Sequence, residues 1–78
     1  MSRTDYSHGL IKANKDIDVL QKSVGPSRSQ SIAERRHDKA DGRMYHCLAS
    51  GSKAKADFNR GQAMGYGMYA HTGKKLKP

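Results

Sequence analysis

The chain is short of nearly everything that builds a self-supporting interior. Tryptophan is absent, phenylalanine occurs once, and Leu, Ile, Val and Phe together supply ten of the 78 residues. That share lies well below the roughly 20% under which a strongly charged chain reads as disordered. A single cysteine, Cys47, leaves no internal disulfide to staple a small scaffold, which excludes the disulfide-rich secreted classes. No run approaches the ~18 consecutive apolar residues of a membrane-spanning helix. The opening Met1-Ser-Arg-Thr-Asp-Tyr-Ser-His holds no apolar stretch of a secretory signal. The expected location is therefore the cytoplasm, or the inside of a particle assembled there. Acids are scarce as well: seven Asp and Glu stand against fifteen Lys and Arg, a net charge of +8.

What is present is patterned in pieces. Leu10, Ala13, Ile17, Leu20 and Val24 recur at spacings of 3 and 4, the stripe of an amphipathic helix over about residues 8–24. Gly25-Pro26 ends it, since glycine suits the residue after a helix and proline cannot continue one. One narrow stripe needs a second surface, so this one is expected to lie in a partner's groove or against a second copy. Residues 25–30 read as a polar linker. Ser31-Ile-Ala-Glu34 matches a capping box and predicts a helix over about 32–41. Residues 43–50 form a short apolar element around Met44, Cys47 and Leu48, and a further helix is expected over about 52–62. Beyond it lies Gly61-Gln-Ala-Met-Gly65-Tyr-Gly67-Met-Tyr-Ala, where each interior glycine costs a helix about 1 kcal/mol. A helix here would put Gly61 and Gly65 on one small-residue face, and a strand would align Met64, Tyr66, Met68 and Ala70. Given the glycine cost, residues 63–78 are expected to be an extended, basic, Gly/Tyr/Met-rich tail. The expected fold class is mainly α: two or three short helices, an extended Gly-rich C-terminal segment, little independent core, and order supplied by partner chains.

The charge is uneven along the chain. Residues 1–42 carry eight bases and six acids, whereas residues 43–78 carry seven bases and one acid, Asp57. Lys and Arg meet phosphates with release of counterions, and exposed tyrosine rings stack on unpaired bases. The candidate contacts for nucleic acid or an acidic partner are therefore Arg43, Lys53, Lys55, Arg60, Tyr66, Tyr69, Lys74, Lys75 and Lys77. The bland alternative is a solubilising charge run with tyrosines as core filler. No signature of a base-reading module accompanies the charge, so any contact would be to the backbone and blind to sequence.

Other chemistries find little support. His8, His37, His46, Cys47 and His71 lack the paired spacing of a structural zinc site, and no metal or cofactor is expected. Gly65-Tyr-Gly67-Met-Tyr-Ala70 imitates a dinucleotide fingerprint but has neither the preceding strand nor the following unit that such a site needs. Gly67 to Lys75 imitates a phosphate-binding loop with one residue too many. Six of the seven acids lie in the hydrophilic first half, with no dry pocket to tune them, so no enzyme and no small-molecule substrate is expected. The reading is a small basic structural or assembly protein held in a larger complex, such as a virion or nucleoprotein particle. Its basic C-terminal half would face nucleic acid or an acidic subunit, with no role at a membrane. The alternative is a free-standing, sequence-nonspecific nucleic-acid-binding accessory, or a phage-type inhibitor or regulator of a host complex.

Overall fold

The computed structural model describes residues 3–77; Met1 and Ser2, and Pro78 at the end of the expected tail, lie outside them. Three helices account for nearly all of it: α1 (Arg3–Val24), α2 (Pro26–Ala49) and α3 (Lys53–Thr72), with no strand among the described residues. The mainly helical class stands. Its parts are longer and fewer than the local signals imply.

The stop at the end of α1 falls where Gly25-Pro26 places it. Gly25 takes φ 83° and its N–H reaches back to the Gln21 carbonyl at 3.2 Å. Pro26 then opens α2, at the helix position where a missing N–H costs nothing. The expected linker over 25–30 thus shrinks to one residue, and Ser31 lies inside α2 rather than at its cap. The expected break near Gly42 does not occur either, so the helix at 32–41 and the apolar element at 43–50 are one helix. One interior glycine is a small penalty beside the buried face of Ser29, Ala33, Ala40 and Met44 that holds α2 to its neighbour.

The largest correction concerns the glycine-rich segment. It is not extended: it is the middle of α3, where Gly61, Ala63, Gly65, Tyr66, Gly67 and Tyr69 are all buried. Its glycines admit another helix at backbone distance. A Cβ on Gly61 would overlap the Tyr6 carbonyl oxygen, and one on Gly9 would overlap the Phe58 carbonyl oxygen. Such contact recovers in dispersion what each glycine costs in propensity. The helix ends at Gly73, whose left-handed backbone donates to the Tyr69 carbonyl at 2.8 Å.

Cross-contacts fix the topology. Gly61 meets Tyr6 and Leu10, Gly65 meets Ala13, and Tyr66 meets Asp16, so α1 and α3 run parallel. Tyr69 meets Ser29 and Gln30 while Asn59 meets Arg43, so α2 runs antiparallel to α3. Both outer helices lie along α3 and barely touch each other. The core joins Ala13, Ile17, Ala33, Tyr66 and Tyr69, with Ala70 at its edge. Of the ten bulky residues counted in the sequence only Leu10, Ile17 and Leu20 are buried. The interior exists, contrary to the expectation of little independent core, because alanine, glycine backbone and tyrosine fill it. After α3 the chain folds back on α1. The Leu76 carbonyl accepts from Asn14 Nδ2 at 2.8 Å, and Lys75 Nζ meets Asp18 at 2.5 Å. The radius of gyration, 12.0 Å, is near the ~11.5 Å of a folded chain this long.

Candidate functional site

The faces of α2 are sorted by charge. Arg28, Arg35, Lys39 and Arg43 follow one another at spacings of 7, 4 and 4, with Arg36 beside them, and so share one side of a 3.6-residue helix. Glu34, Asp38 and Asp41 fall on another side, and the buried face lies between. Because α1 and α2 pack along α3 and only lightly against each other, a cleft of about 240 Å³ remains between them. Lys12 and Asp16 of α1 form one wall, Arg36, Lys39 and Arg43 of α2 the other, and Gln62 and Tyr66 of α3 the floor. A shallower groove of Ile32, Arg35, Arg36 and Lys39 continues the basic surface outward.

The two cleft arginines are held at their inner edges. Arg43 Nε donates to Asn59 Oδ1 at 2.9 Å and Nη2 to Gln62 Oε1 at 3.5 Å. Asn59 and Gln62 are buried, and Asn59 is itself fixed by donating to the Lys55 carbonyl at 2.8 Å. Arg36 Nη1 donates to Asp16 Oδ2 at 2.7 Å, and the Tyr66 hydroxyl donates to the same oxygen at 2.5 Å. Burial, then the bond to Asp16 and its charge, push the Tyr66 hydroxyl up to about 12, with Arg36 pulling the other way. Tyr66 therefore remains a proton donor at any ordinary pH. Four cations against one carboxylate make the cleft electropositive. Arginine forks already anchored on one side lose less freedom when the other side meets an oxyanion. The arrangement suits holding an anion.

The residues expected to make such contacts are mostly elsewhere. Arg43 is in the cleft. Lys53 and Lys55 are exposed at the start of α3, Lys74, Lys75 and Lys77 are in the tail that lies back on α1, and Arg60 lines a separate apolar groove with Met44, Tyr45, Leu48 and Met64. Tyr66 and Tyr69 are 3% and 1% exposed, so neither offers a ring face to a base, which corrects their assignment as stacking platforms. Tyr69 is instead a structural junction. Its hydroxyl accepts from Gln21 Nε2 at 3.1 Å and lies 2.6 Å from Ser29 Oγ, whose own proton goes to the Pro26 carbonyl. Leu10, Ala13, Ile17 and Leu20 do form a buried stripe, but the surface that covers it is α3 of the same chain; Val24 stays exposed. Lys12, Arg35, Arg36 and Lys39 were missed because they lie in the half with little net charge. Their helical spacing was the available signal, hidden by splitting α2 at Gly42.

Among the described residues no three His, Cys, Asp or Glu side chains gather as a metal site would require, and no helix is long and apolar enough to cross a membrane. The chain matches no protein-family model, and neither a curated protein nor a solved structure shows significant similarity to it.

Proposed function

We propose that this protein is a small, non-enzymatic helical domain that binds the phosphate backbone of a nucleic acid without regard to base sequence. The observation that carries the reading is the cleft between α1 and α2. There Lys12, Arg36, Lys39 and Arg43 face one another over α3, two of them pre-oriented by Asp16, Asn59 and Gln62. Charge, and no aromatic platform, does the binding, so the affinity should be strongly salt-dependent. For about four phosphate contacts, log K against log salt should fall with a slope near −3.6 on duplex or −2.8 on a single strand. Lys39→Ala with Arg43→Gln should weaken binding by a similar factor on every sequence and make the slope shallower by about 1.5–2. An affinity that stays flat between low and moderate salt, or a double variant that binds like the parent, would defeat the reading.

A role inside a larger assembly is the second reading, and one feature favours it. Met64 is 43% exposed, Leu48 45% and Tyr45 63%, all along the α2–α3 groove on the side away from the cleft. A chain that binds a polyanion on one side and a protein on the other would use both surfaces. Co-purification of the tagged chain with one stoichiometric protein, lost on Met64→Asp, would support this reading.

A further inference from the structure

Asp16 is out of place in a cleft that collects phosphates. It is the only acid among the cleft residues, and a carboxylate there repels what Lys12, Lys39 and Arg43 attract. Supporting Tyr66 and Arg36 accounts for only half of it, since both bonds fall on Oδ2. Among the described residues Oδ1 meets no hydrogen-bond donor, and the side chain is 40% exposed on the cleft wall. The site thus presents cationic donors around one fixed, open, charged acceptor. Its complement is an anion with a hydroxyl donor close beside it.

Resting on the cleft reading above, we infer that the polyanion is RNA: the phosphates lie on Lys12, Arg36, Lys39 and Arg43 while a ribose 2′-hydroxyl donates to Asp16 Oδ1. The RNA backbone carries that hydroxyl next to every 3′-phosphate, and DNA does not. For DNA the same carboxylate has nothing to accept and only repels. Discrimination then comes from the sugar, and the protein stays blind to the bases.

The test compares three single-stranded oligonucleotides of one sequence at one salt concentration, RNA, 2′-O-methyl RNA and DNA, by fluorescence anisotropy with the full chain. RNA should bind about ten-fold tighter than either of the others, the worth of one hydrogen bond to a charged acceptor. The 2′-O-methyl strand keeps the ribose 2′-oxygen but carries a methyl group in place of its proton, so it cannot donate. Equal affinity for all three would overturn the inference while leaving the cleft reading intact; no binding to any would overturn both. Asp16→Asn should bring the RNA-to-DNA ratio towards one, chiefly by tightening DNA binding. If it tightens both equally, Asp16 only balances charge and the hydroxyl contact is lost as an explanation. The wild-type comparison decides the question even where that variant destabilises the fold.

Discussion

Tyr66 shows how one buried hydroxyl joins stability to the site. Its proton is held by burial and by Asp16, so the folded state keeps it up to about pH 12 whereas an unfolded tyrosine releases it near 10. Between those values the folded chain binds more protons than the unfolded one, so stability falls as pH rises through that window. Below pH 10 the contribution is fully present. Absorbance titration of the phenolates should show a late step near pH 12, and Tyr66→Phe should remove it. The same variant should cost about 1 kcal/mol at neutral pH, measured by urea denaturation, and lose less stability than the parent between pH 10 and 12. The periodic apolar positions of α1 were legible at this scale. The tyrosines were not, because the sequence does not reveal whether a ring that can fill a core or stack on a base is covered.

Among the elements, glycine has opposite meanings in α2 and α3. Gly61 lies against the backbone of α1, whereas nothing stands within 4 Å of a Cβ on Gly42. Gly61→Ala should therefore push α1 and α3 apart and cost about 3 kcal/mol, while Gly42→Ala should stabilise by ~0.5–1 kcal/mol through propensity alone. Urea midpoints of the two variants check both signs. An equal effect at the two positions would contradict the close α1–α3 packing. By propensity alone Gly42 reads as the end of a helix and the run Gly61, Gly65, Gly67 as too costly for one, so local signals divide α2 and end α3 near residue 62.

For the whole molecule, the question is whether the chain holds itself together. Three helices that share one interior predict a cooperative thermal unfolding of the isolated protein by circular dichroism, against the expectation of a chain ordered only by partners. A gradual, non-cooperative loss of helix would restore that expectation. With a net charge of +8 on so small a body, self-repulsion lowers the melting point at low ionic strength. Moderate salt should raise it, and a bound polyanion should raise it further, with the logarithm of its concentration above Kd.

The sequence by itself determined the helical class, the apolar stripe of α1, the turn at Gly25-Pro26 and the excess of positive charge. These are local matters of side-chain period, backbone freedom and composition. Only the tertiary structure decided that the glycine-rich segment is the central helix, that the stripe is covered from within, and that the basic cleft draws three of its four cations from the nearly balanced half of the chain. Each depends on which surfaces meet. Two helices can close to backbone distance only if both present small residues at the same height, and charges gather into a site only when separate helices turn the same way. Neither condition is a property of any one stretch of sequence.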